Sequence, residues 1–286
     1  MMPSSIPPRL HVLLAAQANV GIVIRRGPSK QFCTLLWDRA TDTFTLGQWL
    51  KGRIYEHCCD LSPDGKYFLY FAMNARRSRI GPLCWTAVSR APYLKALALY
   101  GEEETWVGGG HFINNKKYTV NLGVFFQVIR QSTEVEWQKP NFKARALPID
   151  EVQSMSKYPI GNLGMYCHRL EREGWLLTTG AIKHHFVFEK PLNRNWLLKV
   201  LLNNGNALNQ LGKGSTWGEY TLINLGTREQ HHFPDWEWAD LDRSRLVWAA
   251  KGQIWAASLD KNGLRDEKML YDFNDMRFEA IKAPYD

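Results

Sequence analysis

The sequence lacks any apolar run long enough to cross a bilayer, and it contains no low-complexity tract. A membrane-spanning helix needs about 18 consecutive apolar residues. Charged residues make up 22% of the chain and hydrophobic residues 45%, as is usual for a folded protein. We therefore expect a folded chain that does not span a membrane.

Cysteine is scarce, with 5 residues in a chain of 286. An odd number in a chain of this length is unlike the disulfide scaffold of a small secreted domain. Cys58 and Cys59 are adjacent on a predicted strand, where neighbouring side chains point to opposite faces, so we expect buried apolar residues rather than a redox pair. The apolar segment at residues 10–16 is short for a signal-peptide core and is interrupted by His11. These features predict a reduced, cytoplasmic protein.

Recognisable metal-binding and phosphate-binding motifs are absent from the sequence. The doublets His184-His185 and His231-His232 precede or follow strand-like residues, and adjacent histidines on a strand face opposite ways, so each doublet offers one ligand to a shared site. The run Gly108-Gly109-Gly110 lacks the lysine and the following helix of a phosphate loop, and is expected to allow close approach of the backbone. We predict no metal site and no cofactor.

Three carboxylates keep an enzymatic alternative open. Asp60, Glu219 and Asp240 stand at predicted strand ends, where a pair of them could serve glycoside hydrolysis if their separation suited it. An aspartate before a strand more commonly caps a turn by accepting hydrogen bonds from backbone amides. The sequence favours a protein without catalytic activity, and a propeller hydrolase is the alternative.

The strongest positive signal is a hairpin at residues 60–72, which read DLSPDGKYFLYFA. Pro63 presets the turn and Gly65 supplies the positive φ, between two short hydrophobic segments. Similar strand–turn–strand patterns are predicted further along the chain, at residues 111–120, 167–177 and 240–250.

A second hairpin accompanies most of these patterns, at residues 32–50, 83–100 and 253–273. Trp37, Trp85 and Trp255 occupy equivalent places in them. Two successive hairpins make a four-stranded unit, and a period of about 40–50 residues suits a propeller blade. The units fall roughly at residues 10–50, 53–101, 104–140, 160–230 and 233–273.

On these turns and strands the chain resembles the broad TolB-like and WD40-like class of β-propellers. The residues that carry the resemblance are the turn at 62–66 with its flanking strands, and the segment 246–259 with its tight turn at Lys251-Gly252. The resemblance implies an all-β propeller of about five four-stranded blades, with six possible, formed by residues 1–286 as a single domain. A strand at 277–280 or one at 10–16 would complete the first blade.

The fourth unit is longer than the others. A short helical insertion is predicted near residues 191–204, capped by Asn193 or Asn195 and ended by Gly205, with Trp196 on one of its faces. An irregular strand is the alternative. A second short helix is expected at residues 149–156.

The charge of the chain is positive, with a formal net charge of +8. In the propeller plan the loops that join second to third strands share a face with the loops between blades, and this face collects most of the basic loop residues. We predict that it binds a protein partner with an acidic surface or another acidic ligand, together with the insertion at 183–213, and nucleic acid stays a third possibility. The predicted partner-binding residues are Arg25, Arg26, Lys30, Lys51, Arg53, Arg76, Arg77, Arg79 and Trp196.

Overall fold

The computed structural model describes residues 6–27, 31–74, 82–123, 125–139, 162–182, 185–204 and 216–286. Within these ranges the regular structure is 22 β-strands, one α-helix and one 3₁₀ turn. Within the described ranges, no helix is long and apolar enough to cross a membrane. The prediction of a mainly β fold is confirmed.

The first sheet is a four-stranded meander in the order β1-β2-β3-β4. The pairs β2–β3 and β3–β4 are antiparallel. β3 has the residues QFCTLLWD, and most of its side chains are buried, as expected for a strand with both faces covered. The four strands are β1 (Arg9–Leu14), β2 (Val20–Arg26), β3 (Gln31–Asp38) and β4 (Thr43–Lys51).

The second sheet has the order β12-β9-β8-β7-β5, with β6 also paired to β7, and the third has the order β10-β11-β13. The unit at 104–140 was expected to form one four-stranded blade, and this is wrong. β12 pairs antiparallel with β9 of the second sheet, while β13 pairs parallel with β11. The strands are β5 (Arg53–Ile54), β6 (Asp60–Leu61), β7 (Tyr67–Met73), β8 (Cys84–Arg90), β9 (Ala96–Glu102), β10 (Gly110–Phe112), β11 (Lys117–Val120), β12 (Phe126–Arg130) and β13 (Glu136–Trp137).

The fourth and fifth sheets are both meanders of consecutive strands, β14-β15-β16-β17-β18 and β19-β20-β21-β22. One helix, α1 (Asn162–Arg172), precedes them. The strands are β14 (Leu176–Ile182), β15 (His185–Pro191), β16 (Trp196–Asn204), β17 (Thr216–Asn224), β18 (Gln230–Phe233), β19 (Trp236–Asp242), β20 (Arg245–Ala250), β21 (Gln253–Asp260) and β22 (Gly263–Asp272).

Meanders of four consecutive antiparallel strands are the repeating unit of propeller blades, so the sheets fit the predicted propeller-like architecture. The blade count, the ring closure and the single domain stay predictions. Of the two candidate closing strands, the N-terminal one forms: β1 lies beside β2. Residues 273–286, which the structure describes throughout, contain no strand, so the prediction of a strand at 277–280 is wrong.

The chain forms two compact units, each assembled from two separate stretches. The N-terminal unit contains Val12–Arg169 and Arg277–Asp286, and the C-terminal unit contains Met1–His11 and Leu170–Met276. Within the C-terminal unit, the Leu10 amide donates to the Glu237 carboxylate at 2.7 Å. Within the N-terminal unit, the Tyr285 hydroxyl donates to the Lys95 carbonyl at 2.6 Å. Specific hydrogen bonds therefore hold each terminal segment to its unit.

The hairpin predicted around Ser62 to Lys66 is confirmed. β6 pairs with β7, and the turn has Gly65 at φ +74°. The Ser62 hydroxyl donates to the Asp64 carboxylate at 2.7 Å and accepts from the Tyr67 amide at 2.9 Å. A Cβ on Gly65 would lie 2.1 Å from the Val20 side chain, so both the positive φ and the crowding require glycine.

The close backbone approach expected at Gly108 to Gly110 is confirmed. Gly109 has φ +78°, and a Cβ there would lie 2.2 Å from the Cys58 carbonyl oxygen. A Cβ on Gly110 would lie 2.0 Å from the Thr119 carbonyl oxygen. The glycine run therefore lets the chain pass directly over two other backbone segments.

Replacing Gly109 with alanine is expected to destabilise the protein by at least about 1–3 kcal/mol, the cost of holding an L-residue in a sparsely populated conformation. The contact with the Cys58 carbonyl adds to this cost. Chemical denaturation of Gly109→Ala beside Gly263→Ala measures it. Gly263 also has a positive φ, +121°, but a Cβ there meets nothing within 4 Å. Equal losses in the two variants would contradict a role for close approach.

The predicted helical insertion near 191–204 is wrong. β15 and β16 form a regular antiparallel hairpin in that region, with Phe188 opposite Val200. Side chains along β16 alternate, with Trp196, Leu198 and Val200 buried and the intervening ones half-buried. This period of two is that of a strand and outweighs the helical face that the same residues also suggest.

Two further local predictions are wrong. Residues 162–172 form α1, whereas a strand ending at Leu170 was expected. Glu56–Cys58 form a 3₁₀ turn, so Cys58 and Cys59 are not on a strand. Both cysteines are nevertheless buried free thiols, and burial raises the pKa of Cys59 to about 12, against opposing hydrogen bonding and the positive charge of Arg169. The predicted helix at 149–156 lies outside the described residues.

Candidate binding site

Basic side chains gather at one end of the first sheet. β2 ends at Arg26, which lies opposite Phe32 of β3, and Phe32 in turn lies opposite Leu50 of β4. Lys51 follows at the end of β4 and is exposed. Arg53 then begins β5 of the second sheet, opposite Met73. We call Arg25, Arg26, Lys51 and Arg53 the basic end.

Arg25 is less accessible than its neighbours at the basic end. Its side chain is buried, with 3% of its surface exposed, and its guanidinium lies 5.6 Å from the centre of the Trp49 ring. Burial lowers the pKa of Arg25, while the neighbouring Cys33 opposes the shift. Arg25 therefore packs against Trp49, whereas Lys51 is the exposed member of the group and Arg26 and Arg53 are half-buried.

Arg26 and Arg53 share an acidic neighbour. Burial raises the pKa of Glu56, but the charge of His57, a hydrogen bond from its own backbone amide, and the charges of Arg26 and Arg53 outweigh it, so the pKa lies below its usual value. The Arg53 guanidinium also lies 4.5 Å from the centre of the Tyr55 ring. Glu56 thus neutralises part of the basic end and orders it.

The predicted basic face is less uniform than the sequence suggested. The register continues from Arg53 through Met73 and Cys84 to Glu102, so an acidic residue lies in the same row of the second sheet. Glu102 is buried, and its carboxylate accepts from the Gly123 amide at 3.2 Å. The basic residues of this end therefore lie on the side of β2, β4 and β5, where Lys51 is exposed and Arg26 and Arg53 are half-buried.

The other predicted partner-binding residues do not join this group. Lys30, Arg76, Arg77 and Arg79 lie outside the described residues. Trp196 is in the C-terminal unit with 1% of its surface exposed, and its indole nitrogen donates to the Asp260 carbonyl at 2.6 Å. Trp196 is therefore a core residue of the C-terminal unit.

A cavity of about 550 Å³ opens within the N-terminal unit, between β4 and the strands β7, β8 and β9. Its size is within the range of roughly 300–1,000 Å³ typical of small-molecule sites. Part of its wall comes from the C-terminal segment. The lining residues are Gln48, Trp49, Leu50, Tyr70, Asn74, Pro82, Trp85, Leu94, Lys95, Ala96, Leu99, Lys282 and Ala283.

Gln48 joins the three parts of the cavity wall. Its side-chain oxygen accepts from the amides of Leu94 and Lys95 at 2.8 and 3.1 Å. Its side-chain nitrogen donates to the Ile281 carbonyl at 2.8 Å. The Tyr70 hydroxyl donates to the Leu94 carbonyl at 2.5 Å. These hydrogen bonds hold the cavity open in a defined shape.

The two charged side chains that line the cavity, Lys95 and Lys282, are both cationic. Lys95 donates to the Tyr285 carbonyl at 2.7 Å, and Lys282 is exposed. The Trp49 indole nitrogen is buried and has no hydrogen-bond partner among the residues that the structure describes. The lining contains no aspartate or glutamate. Sequence reasoning missed this cavity because residues distant in the chain form it, and only Trp85 among them stood out.

The three candidate carboxylates are each held by hydrogen bonds. Asp60 accepts from the Phe112 amide at 2.7 Å, a bond to a residue 52 positions away in the chain and not the local turn cap that the sequence favoured. Glu219 accepts from the Trp217 indole at 3.2 Å. Asp240 forms an ion pair with Lys190 at 2.5 Å.

The histidine doublets behave as ordinary strand residues where they are described. His232 pairs with the Thr221 hydroxyl at 3.0 Å, and His231 lies 3.6 Å from Glu229. His185 is exposed at the start of β15. Across the described ranges, no three His, Cys, Asp or Glu side chains are placed to hold a metal ion.

Comparison with known proteins finds distant structural likenesses only. No protein-family model matches the chain. No curated protein matches it either. Among solved structures, it is similar to hydrazine synthase of Kuenenia stuttgartiensis, at 10% identity and a TM-score of 0.31 over 91% of this chain and 79% of that one. It is also similar to the tricorn protease, at 12% identity and a TM-score of 0.24 over 93% of this chain and 26% of that one. Scores this low carry no argument about fold or activity.

Proposed function

We propose that the protein is a non-enzymatic β-propeller that binds a protein partner with an acidic surface through its basic end. The observation that carries the proposal is the meeting of Arg26, Lys51 and Arg53 where β2, β4 and β5 end or begin. Arginine recognises carboxylates with paired hydrogen bonds, and a group of such residues favours an acidic surface. The formal net charge of +8 adds long-range attraction.

Charge reversal at half-buried Arg26 and exposed Lys51 tests the proposal. Arg26→Glu with Lys51→Glu is expected to reduce capture of acidic proteins from a lysate of the source cells by about tenfold or more, because each reversal replaces an attractive contact with a repulsive one. The double variant Lys261→Glu with Lys268→Glu is the matched control. Both controls are exposed lysines of the C-terminal unit.

Each double variant lowers the formal net charge from +8 to +4, since each of two reversals removes two units. Capture is measured by quantitative mass spectrometry of the retained proteins. Equal loss in the two double variants would mean that net charge alone attracts the retained proteins, and would remove the basic end from the account.

A hydrolase is not favoured by a specific observation. Asp60 and Asp240 are buried and already engaged, the first with a backbone amide and the second with Lys190. Binding of nucleic acid would also depend on the positive charge of the basic end, and its affinity would fall steeply as the salt concentration rises.

A further inference from the structure

We propose that the cavity between β4 and β7–β9 is a second binding site, separate in function from the basic end, and that it takes a small planar aromatic carboxylate. The proposal goes beyond binding of a protein partner. It depends on the lining of the cavity, on its charge and on the residues that keep it open.

The shape of the site suits a flat, mostly apolar molecule. The rings of Trp49, Tyr70 and Trp85 contribute to the lining, with Leu50 and Leu99 filling much of the remainder. Aromatic rings bind flat ligands by stacked or edge-on contacts. The volume of about 550 Å³ admits a molecule of two or three fused rings with room for a polar substituent.

The charge of the site indicates an anion. Lys95 and Lys282 line it, and the lining includes no acidic side chain. Lys95 donates to the Tyr285 carbonyl, a neutral group, so this hydrogen bond does not balance its charge. Lys282 forms no ion pair within the described residues, which leaves its ammonium group able to meet a ligand carboxylate.

An aromatic carboxylate fits both features of the site. Its ring packs against the apolar wall, and its carboxylate meets the lysine ammonium groups.

Three probes of one shape and different charge test the proposal. Isothermal titration is carried out with 2-naphthoate, 2-naphthamide and 2-naphthylmethylammonium. We expect the carboxylate to bind about tenfold more tightly than the amide, as for one added charge-assisted hydrogen bond, and the ammonium to bind most weakly. Equal affinities for the three probes, or no binding by any of them, would overturn the proposal.

Variants locate the binding. Lys282→Glu is expected to abolish the preference for carboxylate over amide, and Ala96→Phe, which fills the cavity, to abolish binding of both. Leu99→Phe provides a second filled cavity if Ala96→Phe does not fold.

Two exposed lysines of the C-terminal unit serve as controls. Lys261→Glu and Lys268→Glu should leave naphthoate binding unchanged. Naphthoate binding that survives both filled cavities, or that is lost in either lysine variant, would place the site elsewhere and contradict the proposal. Because the filled cavities leave Arg26 and Lys51 in place, failure of this proposal does not entail failure of the proposal for the basic end.

Discussion

Trp196→Ala is expected to destabilise the protein by about 3–5 kcal/mol, the usual cost of removing a buried aromatic side chain. Trp196 begins β16, has 1% of its surface exposed and donates a hydrogen bond to the Asp260 carbonyl. The substitution therefore leaves a large cavity and an unpaired carbonyl. Trp196→Phe keeps most of the volume and should cost less.

Trp106→Ala is the matched control for this experiment. Trp106 has 55% of its surface exposed, and loss of an exposed side chain usually changes stability by about 0.5 kcal/mol or less. Urea denaturation of the three variants gives the free energies of unfolding. A stable Trp196→Ala variant that has lost partner capture would show that Trp196 is an interface residue after all, as the sequence predicted, and would contradict its place in the core.

Asp240→Asn is expected to destabilise the protein by about 3 kcal/mol. Asp240 is buried and forms an ion pair with Lys190 at 2.5 Å. Removing one charge of a buried pair leaves the other without compensation, at a cost of about 3–5 kcal/mol, and the lower value applies because 16% of the Lys190 side chain is exposed. The Leu241 amide and the Trp175 indole donate to different oxygens of Asp240, and asparagine has one oxygen, so the variant also loses one of these two hydrogen bonds.

The double variant Lys190→Met with Asp240→Asn separates the charge from the packing. Removing both charges should restore part of the stability that Asp240→Asn loses, since no uncompensated charge remains. Thermal unfolding followed by circular dichroism measures the coupling between the two positions. A double variant less stable than Asp240→Asn alone would show that the lysine stabilises the fold through its packing and not through the ion pair.

The elements that the sequence predicted well are those whose signals are local. The hairpin at Ser62 to Lys66 follows from the conformational preferences of Pro63 and Gly65 and from one serine–aspartate hydrogen bond. The second hairpins at 83–100 and 253–273 likewise follow from alternating side chains between polar turns. The close approach of backbone segments at Gly108 to Gly110 could also be predicted, because it requires only that these residues lack a side chain.

Two elements were predicted wrongly for different reasons. In one, the spacing of apolar residues fits both a helix and a strand; in the other, the structure depends on contacts with residues far away in the chain. β16 carries apolar residues at both helical and alternating spacing, and its pairing with β15 and β17 selects the strand. α1 contains residues that also suit a strand, and its buried Arg169 donates to the Cys59 carbonyl, more than a hundred positions away in the chain. No local pattern indicates such a contact.

In the two proposed binding sites as well, some features follow from local sequence and others depend on contacts between distant residues. Part of the basic end could be predicted, because Lys51 and Arg53 flank the turn between two sheets. The burial of Arg25 against Trp49 and the place of Glu102 in the same row depend on strand register. The cavity requires Gln48, Lys95 and the C-terminal segment to meet, which is a consequence of tertiary structure alone.

The most direct test of acidic-partner binding at the basic end is titration of fluorescently labelled poly-L-glutamate, followed by anisotropy over a range of salt concentrations. Single-stranded DNA of equal charge is titrated in parallel. We predict that wild type binds polyglutamate more tightly than the DNA and that Arg26→Glu with Lys51→Glu lowers this affinity about tenfold or more. The matched reversal at Lys261 and Lys268 should lower it far less. Equal losses in the two double variants, or tighter binding of the DNA with a steep salt dependence, would contradict the account.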